Sequence, residues 1–364
     1  MKHVYWVLTL MMVGAMSFGM PSAAPAQDAA ALPLAETGPY DVVGRQAFSL
    51  MDDTRDRELT GYIWYPSGSS ASRRPGPIIP KNDLPPAAEA APYPLVIFSH
   101  PRTQDGVDAN FTLGLAPQLA SYGFAVISIN HYDPANRFLN LVHRPMDMLF
   151  ALNQFASSDN AWSGQINFEK VGIAGYSMGG MASMLLTGAS IDPLALSEFC
   201  ASTDNAGWAT CDFSEELWQA VQNERAKFDP PVPEGGIWPP YTDSRIAAVM
   251  PIAPCQGPFF GERGLAGAVV PTLIVGQEQD EICTYERDAL FMYEHMGSDD
   301  RALLTLLKQS HAGVYDNRDM QKILKQFAVA FFGYHIQGKT EYADYLTGAY
   351  AAEFDSVTWA STNE

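Results

Sequence analysis

Residues 171–180 read Val-Gly-Ile-Ala-Gly-Tyr-Ser-Met-Gly-Gly, and this stretch decides the fold. Val171 to Ala174 is a short apolar run, the mark of a strand buried on both faces. Residues 178–188 are small and apolar and read as a helix. Between them, Gly175-Tyr176-Ser177-Met178-Gly179 fits G-x-S-x-G, with the strand before it and the helix after it that this motif requires. The reason is steric. The turn is so tight that the central residue takes a strained backbone and its neighbours must be small. Gly175 and Gly179 meet that need, while Gly180 and Ala182 let the helix approach the sheet. Ser177 Oγ is then presented at a helix N-terminus, where free N–H groups favour negative charge. A structural Gly-Ser turn is the alternative reading.

A serine nucleophile needs a base and an acid, and on such a scaffold they follow it in the order acid, then histidine. After Ser177, His295 and His335 lie in helical segments. His311 alone follows a strand and sits in a loop, Lys308-Gln309-Ser310-His311-Ala312-Gly313, so it is the expected general base. The acid should lie just past the preceding strand, where Gly276-Gln277-Glu278-Gln279-Asp280-Glu281 offers three carboxylates. Asp280 is the first choice and Glu278 the second. The competing reading is that one of them caps a helix beginning near Thr284. A tetrahedral intermediate needs two backbone donors. Met178 N–H is one. The other should come from the loop Ser99-His100-Pro101-Arg102-Thr103; Pro101 has no N–H, which leaves Arg102. Its side chain would be free to meet an anionic substrate group, or would pair with Asp105 or Asp133.

Outward from this centre the pattern alternates. Residues 45–50 and 58–65 read as a hairpin, and 66–94, with eight prolines, as a surface loop. Buried strands are expected at 95–98, 124–129, 246–252, 271–275 and 302–307. Helices are expected at 107–122, 144–157 (Pro145 in its first turn), 284–297 and 316–334. Strand-helix alternation implies an α/β fold with a mostly parallel central sheet and helices on both faces. Residues 191–244 interrupt the rhythm and read as an insertion, a partial lid, before the sixth strand. Within and beyond it, Trp208, Trp218, Trp238 and Phe259-Phe260 are either an apolar acyl pocket or ordinary packing. Residues 338–364 are a tail, either a docked helix or a frayed end.

The chain has 364 residues, 47% apolar and 12% aromatic, which allows a full core and excludes disorder. A net charge of −19 disfavours nucleic acid and anionic membranes as partners. Lys2, the apolar run 5–17 and Ala24-Pro25-Ala26 form a secretory-signal pattern over residues 1–26. The run is shorter than the ~20 residues of a comfortable span, so the expectation is an exported protein without a stable membrane anchor, periplasmic or extracellular, with its catalytic domain over 27–337. Export makes the four cysteines, Cys200, Cys211, Cys255 and Cys283, candidates for disulfides. Closeness in sequence favours Cys200–Cys211. Zinc-type spacings, a phosphate loop and a dinucleotide fingerprint are missing from the sequence, so no metal or cofactor is expected.

Four stretches carry a family resemblance: Arg55-Asp56-Arg57-Glu58-Leu59 with Trp64-Tyr65-Pro66, Val96-Ile97-Phe98-Ser99-His100, Arg144-Pro145-Met146-Asp147, and Gly175 to Gly180. Over residues 40–335 the chain resembles the α/β-hydrolase superfamily, in the branch of bacterial predicted dienelactone hydrolases and platelet-activating-factor acetylhydrolase-like esterases. Pro271 to Asp280 is also similar to the acid turn of cutinase-like polyester hydrolases. Pro101 departs from the glycine usual after His100. Dienelactone hydrolases proper use a cysteine nucleophile, and Ser177 argues against that activity. The resemblance implies an α/β-hydrolase fold, adjacent strands at 246–252 and 271–275, and hence a Cys255–Cys283 bridge beside the acid turn. It implies a serine carboxylester hydrolase acting on a small or lipid-like ester. A peptidase or amidase with the same triad, and a binding protein on a hydrolase scaffold, are the other readings.

Overall fold

The computed structural model describes residues 34–69, 78–102, 108–131, 136–202, 211, 215–228, 232 and 235–363. The expected leader at 1–26 lies outside them. In chain order the strands are β1 (Val42–Asp52), β2 (Arg57–Gly68), β3 (Lys81–Asn82), β4 (Tyr93–Ser99), β5 (Ala125–Ile129), β6 (Ile166–Tyr176), β7 (Ile246–Ile252), β8 (Thr272–Gln277), β9 (Arg301–Leu306) and β10 (Val357–Ser361). The helices are α1 (Leu115–Ser121), α2 (Asn140–Ala156), α3 (Met178–Leu185), α4 (Pro193–Ala201), α5 (Glu215–Arg225), α6 (Gly257–Leu265), α7 (Phe291–His295), α8 (Gly313–Asp316), α9 (Arg318–His335) and α10 (Gly348–Ala351). No helix among the described residues is long and apolar enough to cross a membrane.

The ten strands of the described residues join one sheet, in the order β10-β9-β8-β7-β6-β4-β5-β2-β1-β3. The six from β9 to β5 are parallel; β2 and β10 close this block on either side as antiparallel strands. The apolar runs follow from burial on both faces. In β4, Leu95 and Ile97 enter the core beneath α2, α3 and α6, while Val96 and Phe98 enter the core beneath α1 and α9. β5 divides the same way, with Ile127 on one side and Val126 on the other. Gly172 is needed where α9 crosses: a Cβ there would lie 2.7 Å from the Phe332 ring. Because β5 lies on one side of β4 and β6 on the other, their loops diverge. The crevice at the carboxyl ends of β4 and β6 is where ligands of such sheets bind.

Several elements differ from expectation. β6 begins at Ile166 because its first half carries exposed Glu169 and Lys170, so hydrophobicity marks only its buried half. β3 lies within the proline-rich loop, so the insertion precedes the seventh strand. Asn136 caps a short turn whose side chain accepts from Phe138 N at 3.2 Å. α2 therefore starts early, and Pro145 falls inside it rather than in its first turn. The helix expected at 284–297 is a π-turn, Glu286–Leu290, running into α7. The tail is neither a lone docked helix nor frayed. It adds β10 to the edge of β9, with Val357 opposite Leu306, and stacks Trp359 on Phe327 at 5.5 Å.

Candidate active site

β6 ends at Tyr176, and Ser177 takes φ 57° and ψ −117° before α3 begins. This is a left-handed backbone that a residue with a Cβ rarely adopts. Two constraints hold it there. Ser177 N–H donates to Ile252 O at 2.9 Å. The neighbouring glycines allow the approach: a Cβ on Gly175 would lie 2.2 Å from Gly179 O, and one on Gly179 would lie 2.0 Å from Ser99 O. Met178 is the first residue of α3, so its N–H has no partner within the helix.

Ser177, His311 and Asp280 are brought together from three loops. Ser177 Oγ lies 2.9 Å from His311 Nε2, and His311 Nδ1 lies 2.7 Å from Asp280 Oδ2. All three are buried. The other oxygen of Asp280 accepts the N–H groups of Ile282 at 2.9 Å and Cys283 at 2.7 Å. The tight turn after β8 thus fixes the carboxylate in the plane that faces His311. Glu278, the second choice for the acid, instead accepts Lys308 N–H at 2.7 Å. An ionised aspartate on Nδ1 keeps the proton on that nitrogen, leaving Nε2 as an acceptor for the serine proton.

The His311 main chain is held as firmly as its ring. Its carbonyl accepts from Tyr176 Oη at 2.5 Å and Gln277 Nε2 at 2.7 Å, and its N–H donates to Glu281 Oε2 at 3.0 Å. That main-chain bond lowers the Glu281 pKa. Burial, with Asp280 nearby, raises that of Tyr176 and keeps its phenol a donor. The Tyr176 ring stacks on the His311 ring at 5.3 Å, and Phe111 and Tyr315 continue the stack. Tyr315 and Ile282 are exposed at the rim. None of these supports stood out in the sequence. Tyr176 is simply the variable position of G-x-S-x-G, and Gln277 and Glu281 resemble any polar turn.

Both disulfides form, Cys200–Cys211 and Cys255–Cys283. The second follows β7 and the acid turn, with Cys255 Sγ 3.7 Å from Ser177 Oγ. Asp280, Cys283 and His311 bring ligand-type atoms within 4.8 Å of one another. The Cys283 sulfur is spent in the bridge, and a bridged sulfur is no thiolate for a metal. Arg102 is exposed on the loop after β4. Asp105 and Asp133, the alternative partners for its side chain, lie outside the described residues, as does Trp208. The remaining aromatics pack together: Trp218 stacks on Trp238 at 5.6 Å and meets Phe259 at 5.9 Å, and Trp238, Phe259 and Phe260 are fully buried. They pack the insertion, through Trp218 and Trp238, against α6, through Phe259.

No curated protein matches the chain. Among family models, residues 235–363 match one described as PETase: PET hydrolase-like. The matched stretch spans the acid turn, the histidine loop and the last five helices and four strands, and it points to ester hydrolysis. The mostly parallel sheet with helices on both faces is an α/β fold of the hydrolase type, and residues 235–363 are similar to the PET hydrolase-like family.

Proposed function

We propose that the chain is an exported serine hydrolase that cleaves carboxylic esters through an acyl-enzyme on Ser177. The observation that carries this reading is the unbroken line of hydrogen bonds from Ser177 Oγ through His311 to Asp280, at 2.9 and 2.7 Å, on a strained strand-to-helix turn. Ser177 Oγ attacks the ester carbonyl carbon and its proton passes to His311 Nε2. The carbonyl π electrons move to oxygen, where Met178 N–H and Arg102 N–H stabilise the charge. When the tetrahedral intermediate collapses, the alcohol leaves with the proton from His311. Water, deprotonated by His311, then repeats the sequence and releases the acid. Asp280 orients the imidazole and stabilises its charged form throughout. The exposed Tyr315 and Ile282 beside His311 and Asp280 favour an apolar ester at the rim. Export rests on the signal pattern at residues 1–26, agrees with two disulfides in one chain, and predicts a mature N-terminus at residue 27. The mature chain is one catalytic domain whose insertion at 191–244 is a partial lid.

Fluorophosphonate labelling tests the chemistry, and p-nitrophenyl esters of rising acyl length test the substrate. One label per chain, lost in Ser177→Ala, is expected. A rate that falls beyond short acyl chains marks a small-pocket esterase; sustained activity on long chains marks a lipase or polyester hydrolase. A folded protein that takes no label would refute the proposal.

A further inference from the structure

Beneath the loop after β4 lies a second polar cluster that the Ser177 chemistry does not use. Ser99, His100, His131, Arg144 and Asp147 are each at most 1% exposed. They explain why Arg55-Asp56-Arg57 and Arg144-Pro145-Met146-Asp147 stand out in the sequence. Asp147 meets His131 Nδ1 at 2.9 Å, Arg55 Nη1 at 2.8 Å, and Arg57 through Nε and Nη2, both at 3.1 Å. Burial alone would raise the Asp147 pKa, but His131 and the two guanidiniums outweigh it and hold the group at about 2. Burial keeps His131 neutral, its pKa lowered to about 4.

These contacts assign every proton. The carboxylate takes the Nδ1–H of His131, so its Nε2 accepts Ser99 Oγ–H at 3.0 Å. The His131 main-chain N–H donates to His100 Nε2 at 3.1 Å, so the His100 proton sits on Nδ1, which donates to Pro101 O at 2.5 Å. Arg144 donates to His100 O through Nη1 and to Pro101 O through Nη2. Ser99, His131 and Asp147 thus repeat the bonding order of Ser177, His311 and Asp280. They are sealed from substrate, however, and Asp147 is shared with two guanidiniums. The cluster's acceptors are instead the carbonyls of the loop.

That placement fixes a direction. In a trans peptide the N–H of one residue points opposite to the preceding C=O. Among the described residues only Ala91–Pro92 is cis, so the Pro101–Arg102 bond is trans. Drawing the Pro101 carbonyl inward turns Arg102 N–H outward, away from the cluster. The same loop abuts the start of α3, where a Cβ on Gly179 would lie 2.0 Å from Ser99 O and 2.8 Å from His100 O. We propose that Arg144, which holds the His100 carbonyl and reaches the Pro101 carbonyl at 3.4 Å beside the closer His100 Nδ1, is a positioning residue that aims Arg102 N–H at the oxyanion formed by Ser177. This inference rests on the serine-hydrolase reading above. It is also compatible with Pro101, because the clamp acts on the carbonyl, which proline retains.

The test uses the full chain, p-nitrophenyl acetate and a trifluoromethyl ketone, whose adduct with serine bears the oxyanion. Removing one such donor outright costs about 10²–10³ in kcat, so Arg144→Met, which misaims it, should lower kcat about 10- to 100-fold. The ketone's Ki should rise in step while KM stays within about three-fold, since only transition-state binding is lost. Arg144→Lys, which restores one donor nitrogen in place of the guanidinium fork, should recover part of both. A folded Arg144→Met with parental kcat and Ki, beside an inert Ser177→Ala, overturns this proposal alone. A fully active Ser177→Ala overturns the serine reading and this inference with it. Should Arg144→Met not fold, Ser99→Ala and Arg144→Lys decide: parental kcat and Ki in both refutes the clamp.

Discussion

Asp280→Asn is the sharpest probe of the site, because the structure dictates how the new amide must sit. Asp280 Oδ1 accepts two backbone N–H groups, from Ile282 and Cys283. In the asparagine only the carbonyl oxygen can take that place. Turning the amide round would set an NH₂ against two donors and leave both unsatisfied, at about 1–3 kcal/mol each. The NH₂ therefore faces His311 Nδ1, where the carboxylate now lies at 2.7 Å. Nδ1 must become the acceptor and the ring proton moves to Nε2, which then cannot receive the proton of Ser177. A triad held in the wrong tautomer loses about 10⁴ in kcat, or ~5 kcal/mol of barrier. Steady-state hydrolysis of p-nitrophenyl acetate at pH 7.5 measures it directly. Glu278→Gln is the matched control. Its carbonyl oxygen can still accept Lys308 N–H, so kcat should stay within about three-fold of the parent, as a surface change should. If Asp280→Asn keeps more than a tenth of parental kcat, or if Glu278→Gln loses more than Asp280→Asn, the tautomer argument fails.

Gly179→Ala places a Cβ 2.0 Å from the Ser99 carbonyl oxygen. Backbone must then move by about 1 Å beside Ser177, and a displacement of that size costs ~10²-fold in kcat; an alanine variant of parental rate would show the approach is not tight. Acid should destabilise the fold in two stages. His131 and His100, lowered by burial to about 4 and about 2, stay neutral while unfolded histidine takes a proton, so stability falls as pH drops below about 6.5. Asp147, held at about 2, adds a second loss below about pH 4. Asp288, raised by burial to about 6, acts the other way, its stabilisation being present in acid and lost as pH rises through 6. Asp288→Asn should therefore lose Tm more steeply than the parent between pH 6.5 and 4, as circular dichroism melts would reveal; an equal slope would contradict the assignment. Thiol titration of the native protein should find no free cysteine. Opening Cys255–Cys283, which closes a 28-residue separation, should cost roughly 3–4 kcal/mol in a denaturant titration, and a loss below 1 kcal/mol would argue that the bridge braces nothing.

The parts of this molecule that were legible in its sequence are those governed by local rules. The strand runs at 95–98 and 171–174 are continuous because both faces are covered. Gly175 and Gly179 flank Ser177 because nothing larger fits. His311 is singled out because it follows a strand and sits in a loop. What escaped depends on residues far apart in the chain. The sequence already puts Asp280 ahead of Glu278, but only the fold shows that Glu278 and Glu281, its neighbours in the same turn, take main-chain N–H groups of the histidine loop. Arg144 stands out in the sequence only through the resemblance; its burial shows in the fold alone, since its partners are carbonyls more than forty positions away. The tail's aromatics show no strand alternation strong enough to reveal β10; the partner edge of β9 supplies the order.

The backbone of Ser177 has one more implication, for the history and engineering of the chain. Its φ of 57° and ψ of −117° suit glycine better than serine, by an amount on the order of 1–3 kcal/mol. On the mechanism proposed above, Ser177→Gly would thus give an inactive protein that survives heat better. A screen scored on thermal tolerance alone would drift toward that outcome. Only a selection that scores product keeps serine there, so any programme to toughen this protein must read activity and melting temperature from the same clones.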